Sequence, residues 1–288
     1  MLIDPRYYQI SILSFLLFYG LLFLDFEIHF DIAITILLTA QLTQYFCTEI
    51  FLKQHSSLYK FDPRSALISS LSLCLLLRTE VLLIAALAAF IAIGSKFVIR
   101  SKNKHIFNPT NFALVVMILC FDSAWVSSGQ WGRDLIFLFL IACLGMLVIN
   151  KSRRSDITIA FLIFYTTIVF GRAVWLGDPL TIPLHQLQSG ALLIFAFFMI
   201  SDPMTTPNSR LGRIIFAAFV TLVASYIQFV LYQPNGVLYA LVGCCLLTPL
   251  IDHFLPDEKF QWQISTARYL SKPVQSKGIH YEKTNTVT

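Results

Sequence analysis

Residues 81–99 read VLLIAALAAFIAIGSKFVI, an unbroken apolar run whose one charge, Lys96, stands near its end. As a helix this run would be about 28 Å long, close to the thickness of a bilayer's hydrocarbon core. Its apolar residues are continuous rather than alternating, which selects a helix over a barrel strand. Similar runs fall at 9–25, 32–52, 65–77, 109–121, 133–150, 156–171, 188–201, 212–232 and 236–251. The sequence therefore predicts an all-α integral membrane protein with about ten transmembrane helices. Composition agrees: 57% of the 288 residues are hydrophobic, 26 are Phe, and only 13% are charged, about half the ~25% usual in soluble domains. A soluble enzyme of this length has too much surface to cover with so few charges.

The third, fifth, eighth and tenth runs fall short of the ~20 residues of a full crossing and open beside Pro or Gly, as helices broken near the membrane interior do. Basic residues test the drawing. With an inside N-terminus, the inner segments collect 17 of the 21 Lys and Arg, while the outer loops hold Arg78, Arg133 and Arg172; Lys96 is the remaining one. The first outer loop, residues 25–31, is acidic. This bias places both termini in the cytoplasm. The net charge of +5 is spread over short loops, so no nucleic-acid partner is expected.

The chain also repeats itself. Ala66 to Pro109 and Ala191 to Pro234 are both 43 residues apart, each pair opening a short run, and both halves close on an acid, Asp122 and Asp252. We expect a single transmembrane domain over 1–254, built of two five-helix repeats (about 9–122 and 133–252), then a polar cytoplasmic tail over 255–288. An odd number of spans inverts the second repeat, and such folds place their sites at the repeat interface. The first apolar stretch lacks a basic run and an A-x-A site and reads as a retained span. Cys47, Cys74, Cys120, Cys143, Cys244 and Cys245 read as small buried hydrophobes, with neither metal nor disulfide expected.

Three stretches carry candidate chemistry. In the first, Lys96 is followed by His105 and by Asn108-Pro109-Thr110-Asn111. Pro109 suits a first helical turn and Asn108 an N-cap. A helix start flanked by Asn, His and Lys suits an anion or an electron-rich ring; the same residues also read as a capped helix with lysines reaching for the interface. In the second, Ser189 and Gly190 allow close helix approach, and Asp202-Pro203 ends a short run. The third is Asp252-His253, where an acid near the membrane is a candidate ion-coupling group. No P-loop, GxGxxG, HExxH or GxSxG is present.

These stretches resemble the RnfD/NqrB family, membrane subunits of Rnf electron-transport complexes and of the sodium-translocating NADH:quinone reductase. The resemblance runs over about residues 60–255. It rests on FDPRSALISSLSLCLL at 61–76, Ser95-Lys96, Ile106-Phe107-Asn108-Pro109, Gln188-Ser189-Gly190-Ala191 and Ser201-Asp202-Pro203-Met204-Thr205. Further on come Arg210-Leu211-Gly212-Arg213, Pro234-Asn235-Gly236-Val237 and Pro249-Leu250-Ile251-Asp252. It implies ten spans in two inverted halves and flavin-dependent electron transfer in the inner membrane. It also implies redox partner proteins or a quinone-like carrier, and one non-covalent flavin, riboflavin or FMN, near the inner Asn-Pro segment. Asn108 matches a flavin-contacting Asn, and His105 stands where the family often has a second Asn. The wider cofactor set expected on this basis is Lys96, His105, Asn108, Asn111, Ser189 and Asp202. Relatives also carry FMN esterified to a Thr in an outer Ser-x-x-Thr loop. Here residues 121–131 contain no Thr, so covalent FMN is not expected. A small-solute or ion transporter on the same plan, or a non-redox assembly subunit, are the competing readings.

Overall fold

A computed structural model of the chain describes residues 4–23, 29–52, 61–101, 104–126, 135–151, 154–258 and 260. The helices are α1 Pro5–Phe23, α2 Phe30–Cys47, α3 Pro63–Leu76, α4 Leu82–Val98, α5 Pro109–Cys120, α6 Leu135–Lys151, α7 Ser155–Leu176, α8 Thr181–Leu187, α9 Gly190–Ile194, α10 Arg210–Phe229, α11 Gly236–Cys245 and α12 Thr248–Phe254. Five-residue π turns prolong α2 over Thr48–Leu52 and α9 over Phe195–Met199. Two short antiparallel ribbons complete the set. β1 Leu77–Arg78 pairs with β4 Trp125–Val126, and β2 Arg100–Ser101 pairs with β3 Lys104–His105.

Helix starts follow local chemistry. Asp62 caps α3 by accepting from the Arg64 N–H at 3.1 Å, and Asn108 caps α5 by accepting from the Asn111 N–H at 3.0 Å; each cap is followed by Pro in the first turn. The run expected to end at 171 continues to Leu176. It stops where Gly177 adopts φ +73, with the Gly177 and Asp178 N–H groups closing onto the Val174 and Ala173 carbonyls. Residues 181–187, not expected to be helical, form α8, which meets α9 and its π turn at 50°. The last run breaks into α11 and α12, also at 50°, just before Pro249, whose ring and missing N–H end the first piece.

Helices α1, α7, α10 and α2 with its π turn are long and apolar enough to cross a membrane, and each bent pair adds one candidate; α3, α4, α5 and residues 141–150 of α6 are apolar but shorter. Only 28% to 44% of the most apolar window in each long helix is buried. The remaining apolar surface, Phe23, Val174 and Trp175 included, faces outward, as lipid-facing helices require. Cys120 and Cys143, expected in the interior, lie on that outer surface, whereas Cys74, Cys244 and Cys245 are buried.

Packing follows a recurring pattern. α1 packs on α3, α2 on α4 and α4 on α5; further along, α6 packs on α9 and its π turn, α7 on α10 and α10 on α11. The two sets meet where α1 touches α6 and α5 touches α11. Of the sequence expectations, residues 25–28 of the acidic loop, 127–131 of the Thr-free loop and 261–288 of the tail lie outside the described residues.

Candidate functional site: a polar cavity at one end of the bundle

A cavity of about 230 Å³ opens between the start of α3, the end of α4, the start of α5 and the segment that follows α9. It gathers Lys96, His105, Asn108 and Asp202, four of the expected residues. Each reaches it for a local reason. Lys96 lies in the last turn of α4, where a cation suits the helix dipole. His105 is placed by the β2–β3 ribbon, and Asn108 by its cap on α5. Asp202 follows the π turn and accepts from the Met204 N–H at 3.0 Å.

Asn108 ties these parts together. Its Oδ1 is occupied by the cap, and its Nδ2 donates to the Met199 carbonyl at 3.4 Å and to Asp202 Oδ2 at 3.3 Å. The residue thus joins the start of α5 to the end of the α9 segment. The Lys96 ammonium donates to the Ser65 carbonyl at 3.0 Å and to Ser65 Oγ at 3.1 Å. Thr110 donates to the Ser69 carbonyl, locking α5 to α3. Phe198, Met199 and Ile68 supply apolar wall.

His105 and Met204 are shared with a second cavity of about 190 Å³, which also touches Lys104, Asn208 and Asp252. Burial pushes the His105 imidazole down to about 4, against the pull of Asp202. The ring keeps some accessible surface because it borders both cavities, yet the surrounding protein excludes most bulk water. Asp252 accepts from the Asn208 N–H and Nδ2, both at 2.8 Å, and lies 3.7 Å from Lys104 Nζ. Lys104 also donates to the Thr206 carbonyl and Asn208 Oδ1, each at 2.9 Å. Burial lowers its pKa, and Asp252 offsets only part of that.

Two expected contributors are not brought to this site. Asn111, 1% exposed, turns away and donates to the Leu238 carbonyl of α11 at 3.0 Å. Ser189 opens α9 at the far end of the bundle, because the chain enters α9 from the opposite side to α3. There it borders a separate cavity of about 860 Å³ with Tyr165, Gln228, Trp125 and Asn235.

Sequence reasoning misses other residues. Ser65, Ser69 and Ser72 all border the 230 Å³ cavity; their i, i+4, i+7 spacing on one helix face is the signal that could show it. Arg6 is also at the rim. It is 6% exposed and reaches Asp4 at 2.7 Å and Asp62 at 2.6 Å, while Arg64 meets the same two acids at 2.9 and 2.7 Å. Burial would raise the Asp4 and Asp62 carboxyls, but the Arg6 and Arg64 contacts outweigh it and hold both below the usual carboxylate value. Among the described residues, no cluster of His, Cys, Asp and Glu has the makings of a metal site.

An all-helical bundle with so much outward apolar surface and polar cavities at its ends is a multi-pass membrane protein. Comparison with known proteins bears out the family resemblance: residues 127–261 match the NQR2, RnfD, RnfE family. The D-type subunit of the ion-translocating oxidoreductase complex of Citrobacter koseri is 32% identical over 133 residues, which cover 46% of this chain and 33% of that protein. Proteins of the same description from Escherichia coli and Shigella boydii are 31% identical over 133 residues, with the same shares. The aligned part is thus about a third of the length of these relatives. Ser189, Asp202 and Asp252 lie within the family match; Lys96, His105, Asn108 and Asn111 precede it.

Proposed function

We propose that the chain is a membrane component of an ion-translocating electron-transfer complex and holds one non-covalent flavin at the end of the bundle marked by Lys96, His105 and Asn108. The observation that carries this reading is the convergence of those three residues and Asp202 on one cavity. The relatives' description as oxidoreductase subunits supports the redox role.

The residues present suit a flavin. Lys96, His105 and the Ser65 hydroxyl offer donors, and Phe198 and Met199 offer apolar wall for a planar ring. Ligand pockets run upward from about 300 Å³. The 230 Å³ cavity alone falls short of that, and the adjoining 190 Å³ space across His105 and Met204 makes up the difference. A bound flavin supplies the electron-carrying chemistry. The chain's own residues orient it, exclude water and set the charge around it. Electrons come from partner proteins or a quinone-like carrier.

The apolar helical segments of the described residues are read as ten crossings in two inverted repeats of five, supported by the recurring packing pattern. Both termini are placed on the cytoplasmic side of the inner membrane, with the flavin near that face. Labelling of single cysteines by a membrane-impermeant reagent tests the topology.

The flavin is tested by the visible spectrum of the detergent-purified protein, followed by acid release of pigment. Oxidised-flavin bands with all pigment released are expected, and Asn108→Ala combined with His105→Ala should remove them. A colourless protein that takes up neither riboflavin nor FMN would sink the reading. A transporter reading draws on the 860 Å³ cavity at the far end. Solute flux through flavin-free protein in liposomes would favour it.

A further inference from the structure

A groove of about 620 Å³ runs between α6, α7 and α10. Its lining changes character along its length. The mouth is polar, with Asn150 near the end of α6, Ser155 and Asp156 at the start of α7 and Arg210 at the start of α10. Beyond the mouth the wall is apolar: Ile159, Ala160, Ile163 and Phe164 share one face of α7, joined by Ile214 of α10. Ile159 and Ile163 are 43% and 57% exposed, so this wall is open to lipid. From Ser155 to Phe164 it runs about 14 Å along the helix axis. Arg213 also donates to the Asn208 carbonyl, so the mouth lies at the same end of the bundle as Asp252.

The one carboxylate at the mouth is already occupied. Asp156 accepts from Arg213 Nε at 2.8 Å and from the Ile157 N–H at 2.9 Å. Arg210 has no acid at salt-bridge distance among the described residues. It also opens α10, where the helix dipole is positive and disfavours a cation. The mouth thus carries a net positive charge beside an apolar channel. A guanidinium meets a phosphate with two parallel N–H donors. Basic pockets between membrane helices take anionic lipid headgroups.

We propose that this groove binds an anionic phospholipid, its phosphate on Arg210 and Ser155 and an acyl chain along the Ile159–Phe164 face of α7. A partner helix would fill the apolar wall but leave Arg210 without a counter-charge, whereas a phospholipid answers both ends. A zwitterionic headgroup would set its own ammonium beside Arg210 and so fits less well. The groove shares no lining residue with the Lys96 cavity, and the inference stands apart from the flavin reading.

The test is competitive lipid retention. Full-length protein, washed in a non-ionic detergent, is equilibrated with equal amounts of dioleoyl phosphatidylglycerol and dioleoyl phosphatidylcholine. The lipid that stays through a second purification is extracted and counted by mass spectrometry. Phosphatidylglycerol should be retained about fivefold over phosphatidylcholine, the preference that one basic residue gives for anionic lipid. Arg210→Gln should bring the ratio close to one, Arg210→Lys should keep most of it, and Arg172→Gln, at another exposed arginine, should leave it unchanged. Ile163→Trp, which fills the groove, should lower retention of both lipids. A ratio near one in the unaltered protein, or a preference that survives Arg210→Gln, overturns the inference. Retention unmoved by Ile163→Trp overturns it too, because the lipid then sits elsewhere. So does a protein adduct formed in native membranes by a photoreactive residue at position 163, which would give the groove to a partner helix. Should Arg210→Gln fail to fold, the unaltered protein at low and high salt decides alone: a preference that collapses with salt supports the contact, and one that salt leaves unmoved rejects it.

Discussion

At one end of the bundle a cavity is framed by the start of α3, the end of α4 and the start of α5; at the other end a cavity is framed by the start of α9, the end of α10 and the start of α11. In both, the last of these helices opens beside a proline, Pro109 or Pro234. The chemistry set into these frames differs. The first cavity is bordered by Arg6, Lys96, Arg100 and Asp202, whereas the described lining of the second includes no Lys, Arg, Asp or Glu. There the polar contacts are neutral: Tyr165 donates to Gln228 Oε1 at 3.0 Å, and Gln186 Oε1 is buried without a partner among the described residues. Similar packing thus frames two spaces, and the few residues at helix ends decide what each can hold. A charged ligand suits the first; a neutral one suits the second.

The largest expected effect separates the two ends outright. Asn108→Ala with His105→Ala should empty the protein of flavin, while Ser189→Ala with Gln228→Ala should leave flavin content unchanged, both read by acid-released pigment per mole of protein. Loss of flavin from the second pair would put the ligand at the wrong end and break the comparison.

Next in size is a packing effect confined to the far end. A Cβ at Gly236 would lie 2.8 Å from the Ala224 carbonyl oxygen, so α11 meets α10 there without room for a side chain. Gly236→Val should cost about 2–3 kcal/mol, as overpacking of a rigid contact does. Gly94→Val, where nothing lies within 4 Å of the added atom, is the control. Thermal unfolding in detergent measures both, and a melting temperature equally low in the control would show that the close approach is not what Gly236 provides.

A smaller effect is expected from Asp62→Asn. The amide oxygen can still cap α3, so the substitution mainly removes the charge that Arg6 and Arg64 share. Because the Asp62 side chain is 32% exposed, screening limits the loss to about 1 kcal/mol. A loss several times larger would mean that Arg6, buried beside the cavity, depends on Asp62 more than the shared contact with Asp4 allows.

Much of this frame is legible in the sequence because its determinants are local. Asp62-Pro63 and Asn108-Pro109 announce helix starts through a capping side chain and a residue with no N–H to satisfy. Long apolar runs announce helices whatever their partners. The site is legible in part. Lys96, His105, Asn108 and Asp202 stand out as chemistry-bearing types near helix ends, but what each touches depends on contacts far apart in the chain, such as Asn108 with Asp202 and Lys104 with Asp252. Sequence reasoning misplaces Asn111 because a cap at Asn108 turns the residue three positions on toward α11. It misplaces Ser189 because a serine before a helix start reads alike at either end of a bundle. The break between α8 and α9 has no proline at the bend, and its mark in the sequence is the Ser189-Gly190 pair at which the eighth run opens.

A further expected effect is a pH dependence that belongs to the charged end. The His105 imidazole, ordinarily near 6.5, is pushed down to about 4 by burial, reinforced by Lys96, Arg100 and Lys104, with Asp202 pulling the other way. The folded protein therefore resists protonation that the unfolded chain accepts. Stability is whole above about pH 6.5, falls as pH drops from there toward 4, and is not recovered below, where the loss of the Asp4 and Asp62 ion pairs adds to it. Melting temperature followed from pH 7.5 downward should decline mainly below about 6.5, the ordinary histidine value. His105→Asn, which keeps a neutral donor in place, should flatten that decline while leaving the steeper fall at lower pH, where the two carboxylates take up protons. A decline that persists unchanged in His105→Asn would place the titrating group elsewhere and remove the sharpest electrostatic distinction between the two ends.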